Sequence, residues 1–177
     1  IDIGFGSNAT VTVSGSLNMS GTSGSPATCA PITGGDKWSM SIANSAQFNA
    51  YYGTFDSVRV TFGATPSRVM LSNITFQNVA NNAGNEHFLD FSSSVPTFSS
   101  LRNLTFTRGT AVGAATARNI KANATTQLMV IGGATGNLAG ELFDLDPSNK
   151  IRWSGNTAPI KRDHNVDGVS YPTSLDE

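Results

Sequence analysis

The segment Asp163-His164-Asn165-Val166-Asp167-Gly168 sets side-chain oxygens at alternate positions ahead of a glycine. Oxygens so spaced can converge on one hard cation while the glycine permits a tight turn, as in the first half of a calcium-binding loop. The second half departs from that pattern. Its twelfth position is Ser174, and the next carboxylates are Asp176 and Glu177. Asp163, Asn165, Asp167 and Asp176 are therefore the candidate Ca2+ ligands, with a polar Asx-type turn as the alternative reading of the same residues. Calcium is the only cofactor to which the sequence points. His87 and His164 have no companions at metal-ligand spacing, so zinc is not expected, and each reads as a surface or hydrogen-bonded histidine. Cys29 is the single cysteine. It can form no intrachain disulfide and reads as a small buried hydrophobe, with an intermolecular bridge as the alternative.

A second recurring signal is the triplet Asn-x-Ser/Thr, found at Asn8, Asn18, Asn73, Asn103 and Asn123. Such triplets accept glycans in organisms that glycosylate asparagine. Asn73 and Asn103 have a competing reading, as amides stacked in an inward-pointing ladder. Trp38, Tyr51, Tyr52 and Trp153 could stack on sugars, and core packing is the commoner use of such rings.

These residues need a scaffold, and composition restricts it. The chain has 177 residues, 38% of them hydrophobic and only 13% charged, against about 25% charged in ordinary soluble domains. Ser, Thr, Asn, Gly and Ala make up the difference, a mixture poor in helix formers and rich in strand and turn residues. The formal net charge is −1, with 11 Lys and Arg scattered along the sequence. That provides no basic field for a phosphate backbone, and no nucleic-acid partner is expected. No apolar run approaches the roughly 20 residues of a membrane span, so no membrane insertion is expected. A chain that begins at Ile1 suits a processed secreted protein or an excised fragment.

Along the chain, Val11 and Val13 alternate, a bend follows at Ser14-Gly15-Ser16, and Leu17 and Met19 resume the alternation. Gly21–Pro31 carries Gly, Ser and Pro punctuation and reads as a loop. Trp38, Met40 and Ile42 alternate strictly, as do Phe48, Ala50 and Tyr52 after a bend at Asn44-Ser45; Phe55, Val58 and Val60 lie beyond Gly53. The strings "VMLSNITFQNV" from Val69 and "FSSLRNLTFTRG" from Phe98 then say nearly the same thing twice. Phe76 and Phe106 hold the same place in the two strings, and Phe55 is a third member of the series. A loose repeat of roughly 20–30 residues built from short strands is the signature of a solenoid, because no unit can bury its apolar face alone. Leu128 and Val130, then Leu142, Phe143 and Leu145, then Ile151 and Trp153 read as one or two further coils.

The stretch "VTVSGSLNMSGTSGSPAT…KWSMSIANSAQFNAYYGTFDSV" resembles the opening coils of bacterial right-handed parallel β-helix proteins. "SNITFQNVA" resembles the strand-turn of pectin esterases and related β-helix enzymes. The likeness covers about residues 9–110 and continues more weakly to about 155. It implies an all-β, single-stranded right-handed parallel β-helix of pectin-lyase-like architecture with about six coils, spanning residues 1–156. Residues 157–177 lack the pattern and read as a tail, cap or inter-subunit connector. Pectin esterases place two aspartates and an arginine on neighbouring coils, and by that resemblance Asp90 in "FLDFSS" would sit near Asp56 and Arg108. The catalytic strings of those enzymes are missing, so no catalytic residue is assigned.

The architecture is shared by lyases, esterases, adhesins and phage spikes, so the fold alone does not define a reaction. The expected role is that of a secreted or cell-surface structural module, a self-assembling fibre subunit or an adhesin, joined to other copies through residues 1–20 and 157–177. The alternative is a carbohydrate-active enzyme or carbohydrate-binding module acting on an extracellular polysaccharide.

Overall fold

The computed structural model describes residues 1–79, 87–92, 99–109, 117–123 and 126–155. Within them the chain winds through thirteen strands: β1 (Asp2–Phe5), β2 (Ala9–Val13), β3 (Ser16–Ser20), β4 (Ala27–Pro31), β5 (Trp38–Ile42), β6 (Gln47–Asp56), β7 (Val58–Phe62), β8 (Arg68–Gln77), β9 (His87–Asp90), β10 (Ser99–Thr107), β11 (Arg118–Lys121), β12 (Met129–Gly132) and β13 (Ile151–Ser154). They form two sheets. The larger runs β1-β4-β6-β8-β10-β12-β13, with β3 also paired to β6, and the smaller runs β11-β9-β7-β5-β2. Every pairing between named strands is parallel. Successive turns of chain visit the two sheets alternately, which makes the molecule an all-β parallel β-solenoid. The region assigned from sequence to a tail, residues 157–177, lies outside the described residues.

Register explains the loose repetition. Phe55 pairs with Phe76, and Phe76 with Phe106. Their rings stack with centroids 5.5 and 5.6 Å apart, because parallel strands about 4.8 Å apart set like side chains one above another. Phe88 leans into the same pile from the smaller sheet, 5.7 Å from Phe76 and 6.0 Å from Phe106. Trp153 meets Phe106 edge-on at 6.2 Å. All four phenylalanines are fully enclosed, and burying each side chain stabilises the fold by roughly 1.5–3 kcal/mol. Since only the apolar character of each level matters, Val69, Leu71 and Ile74 can stand where another coil has Phe48, Ala50 and Gly53.

Three local expectations are corrected. Gly21–Pro31 is not all loop: Ala27–Pro31 is β4, and Cys29 lies in the inward column between Ile3 and Phe55. Small residues suffice there, and Pro31 ends the strand, where its missing N–H is tolerated. Tyr52 does not continue the alternation of Phe48 and Ala50. The backbone at Tyr52 turns left-handed (φ 50°), its side chain is 40% exposed, and Gly53 takes the inward place. A Cβ on Gly53 would run into the Met19 methyl and stand 3.0 Å from the Ala27 carbonyl oxygen, so glycine leaves the room that Met19 fills. Finally, Leu128 and Val130 face outward, and Met129 and Ile131 are buried instead. A shift of one residue exchanges the faces of a strand, and a run of four apolar residues does not specify which pair turns inward.

Candidate functional site

The outer surface of the larger sheet is organised by a kink. Tyr51 pairs with Ser72 and Ser72 with Arg102, while Gly53 pairs with Ile74 and Ile74 with Leu104. Tyr52, Asn73 and Asn103 therefore occupy one column, and all three are left-handed, with φ of 50°, 56° and 51°. Gly133 (φ 65°) and Gly155 (φ 63°) continue it. Asparagine and glycine are the residues that adopt this conformation readily, which is why the sequence offers them here. Asn103 Nδ2 donates to Asn73 Oδ1 at 3.2 Å, and Asn73 Nδ2 donates to Ser72 Oγ at 3.0 Å. The expected amide ladder thus exists on the outside of the coil: Asn103 is exposed and Asn73 half-buried.

Two residues beyond each kink stands a threonine. Thr28, Thr54, Thr75 and Thr105 pair in sequence, and Thr105 bridges to Thr135. The hydroxyls of Thr105 and Thr135 are 2.9 Å apart. Between the amide and hydroxyl columns lies a shallow groove of about 420 Å3 lined by Asn73, Thr75, Asn103, Thr105, Gly133 and Thr135. No charged side chain lines it.

The smaller sheet is different. His87 and Asp90 lie on β9, where Phe88 and Leu89 are both buried; this break in alternation leaves His87 and Asp90 on the same side. His87 Nε2 is 3.0 Å from Asp90 Oδ2. The other carboxylate oxygen accepts the Ser92 backbone N–H at 2.9 Å and the Ser92 hydroxyl. Burial alone would raise the Asp90 pKa. The hydrogen bonds from His87 and Ser92 and the charge of His87 outweigh that effect and hold the carboxyl well below the usual carboxylate range. A carboxylate so stabilised is a poor proton acceptor, and its oxygens close an Asx turn rather than facing a substrate. Around it on the sheet are Arg59, Arg118 and Lys121: Arg118 pairs with His87, Lys121 with Asp90, and Asp90 with Thr61.

The trio suggested by resemblance to esterases is not brought together. Asp90 ends β9 in the smaller sheet, whereas Asp56 ends β6 in the larger one. Asp56 accepts hydrogen bonds from Ser57 Oγ at 2.7 Å, Gln77 Nε2 at 2.9 Å and Asn78 Nδ2 at 3.0 Å. Its carboxylate binds together two neighbouring coils at a corner. Arg108 lies over the ring of Phe143, 5.8 Å from its centroid, and its backbone N–H donates to Asn137 Oδ1. The geometry assigns these three residues to separate structural contacts.

The remaining sequence candidates are placed as follows. Among the other triplets, Asn8 is exposed, and Asn18 Oδ1 accepts a hydrogen bond from Asn49 Nδ2 at 2.9 Å. Asn123 Nδ2 donates to the Ser92 carbonyl. Cys29 is buried, its thiol directed at Met19 Sδ 3.5 Å away, and burial pushes its pKa up to about 11. That suits the buried hydrophobe reading. Trp38 and Trp153 are core residues, their indole N–H groups donating to the Asp56 carbonyl and to Asp144 Oδ2, each at 2.8 Å. Asp163, His164, Asn165, Asp167 and Asp176 lie outside the described residues. Among the described residues no three His, Cys, Asp or Glu cluster as a metal site, and no helix is long and apolar enough to cross a membrane.

Sequence reasoning missed Asn119. Its side chain is fully buried, donating from Nδ2 to the carbonyls of Leu138 (2.7 Å) and Gly140 (3.0 Å) and accepting the Ile120 N–H on Oδ1 (2.5 Å). It fastens a following loop to β11, and a polar residue at an inward position of a strand was its only trace in the sequence.

These features define the class, a parallel β-solenoid whose larger sheet carries adjoining columns of neutral amides and hydroxyls. No protein-family model, curated protein or solved structure matches the chain.

Proposed function

We propose that the protein is an extracellular structural β-solenoid, a subunit of a self-assembling surface fibre or an adhesin module, joined to its neighbour through terminal strands. One observation carries this reading: the first rung leaves its apolar columns partly open. Phe5, Val11, Val13 and Leu17 are only partly buried, and Ile3 is 45% exposed. One rung further in, their column partners Met40, Ile42 and Phe48 are enclosed. β1, β2 and β3 each pair on one side only within the described strands. Unpaired backbone groups beside apolar side chains form an edge to which another strand can add. A second solenoid stacked in register would extend both the hydrogen bonds and the columns, and a head-to-tail contact of that kind grows into a fibre instead of closing.

Sedimentation velocity over a wide concentration range, followed by electron microscopy, tests this. Concentration-dependent end-to-end association is expected, and the Val11→Lys/Leu17→Lys variant should remain monomeric with unchanged circular dichroism. A chain that stays monomeric at high concentration, or associates equally well with both lysines present, refutes the proposal. Secretion and surface location are part of the same proposal; the low charge and the abundance of Ser, Thr and Asn support them.

A further inference from the structure

The triplets that read as glycan acceptors at Asn73 and Asn103 have a structural meaning in this chain. In each, the asparagine makes the left-handed kink and the threonine two residues later points out beside it. Tyr52-Gly53-Thr54 and Gly133-Ala134-Thr135 repeat the arrangement without an asparagine, so the geometry belongs to the coil and not to a modification signal. We infer that the groove between these columns is a binding site for an uncharged, extended polyhydroxylated chain, a neutral polysaccharide laid along the solenoid axis. This goes beyond the assembly role, which uses a different surface.

Three observations point to that ligand. The walls are amides and hydroxyls, which can both donate and accept, and the ladder leaves part of that capacity unused. Asn103 Oδ1 has no amide above it, since the next position in the column is Gly133. A Cβ there would lie 2.6 Å from that oxygen, so the missing side chain makes a notch beside a carbonyl acceptor.

Tyr52 supplies the third observation. It stands in the asparagine column one coil before Asn73, 40% exposed, in a backbone conformation unfavourable to a tyrosine. Asparagine is the commoner residue in that conformation, and the tyrosine instead adds a part-exposed aromatic side chain one coil beyond the groove's lining, on which an extended sugar chain can stack. The residues that line the groove are all neutral, so a neutral chain can exchange its water for their amides and hydroxyls without leaving a charge desolvated there.

The test is affinity electrophoresis of the intact protein through gels containing dextran, xylan or mixed-linkage β-glucan, with polygalacturonate as the acidic control. At least one neutral polymer should retard the protein, equally at low and high salt. Thr75→Val/Thr105→Val, which keeps shape and strand preference, should weaken retardation about tenfold. Tyr52→Asn should also weaken it while raising the melting temperature, so lost binding cannot be ascribed to lost folding. Retardation by no neutral polymer, or retardation unchanged in both variants, overturns the inference. So does salt-sensitive retardation by polygalacturonate alone, which would place the ligand on arginine and lysine side chains instead of on the neutral columns.

Discussion

The two sheets share an interior and have contrasting exteriors. Inward, both contribute aromatic and aliphatic side chains to one core, with Phe62 stacked on Phe91 at 4.1 Å in the smaller sheet much as Phe76 stacks on Phe106 in the larger. Outward, the larger sheet has columns that repeat, asparagine over asparagine and threonine over threonine, beside one that runs Ser72, Arg102, Gly132, whereas the smaller sets Thr61, Asp90 and Lys121 in one column. A parallel stack favours like neighbours when they can bond to each other, as amides and hydroxyls do. Identical charges in a column would repel, so a charged column must vary from level to level. The difference teaches that repetition on the surface is stable only where the repeated group is neutral, and that such a surface presents a regular array to whatever it meets.

The largest expected effect lies in the shared interior. Phe76→Ala would open a cavity between two stacked rings and should cost about 3–5 kcal/mol, measured as a fall in the midpoint of urea unfolding. A loss below about 1 kcal/mol would mean that the column carries little of the stability.

The next effect separates the sheets. Asp90→Asn leaves His87 without its charged partner in a nearly enclosed site and should cost about 1–3 kcal/mol at neutral pH. The Asp90 pKa is lowered in the folded state, so its contribution is present above the unfolded value near 4 and drains away as pH falls towards the folded value. The gap between wild type and variant should therefore be widest at neutral pH and shrink below about pH 4 in chemical denaturation. No corresponding change is expected for substitutions in the neutral ladder face.

The smallest effect has the opposite sign. Tyr52→Asn replaces an unfavourable left-handed tyrosine by the residue that its two successors in the column already use. It should stabilise the chain by about 1 kcal/mol, read as a rise in melting temperature. Destabilisation would show that the tyrosine ring is held by packing that outweighs its backbone strain.

Much of the fold was legible in the sequence because a solenoid writes its core locally. Trp38, Met40 and Ile42, or Ile74 and Phe76, alternate within a few residues, and Phe55, Phe76 and Phe106 announce their stacking by recurring. Legibility failed where local pattern is symmetric or silent. Leu128-Met129-Val130-Ile131 is apolar on both faces, so only pairing with Leu101 and Ile151 decides which side goes in. Cys29 and its alanine neighbours do not look like a strand until Phe55 lies beneath them. The candidate site was less legible still. The esterase-like trio rests on analogy, and the register separates its members, while the amide ladder expected to point inward at Asn73 and Asn103 lies on the outer side of the coil.

The sequence by itself determined that this chain would coil and stack, since alternation and recurrence are properties of the order of residues. The tertiary structure decided which positions turn left-handed, and hence that asparagines and threonines from coils some thirty residues apart meet on one outer face. Adjacency between coils depends on register, and register is fixed only when every rung has found the rung beneath it.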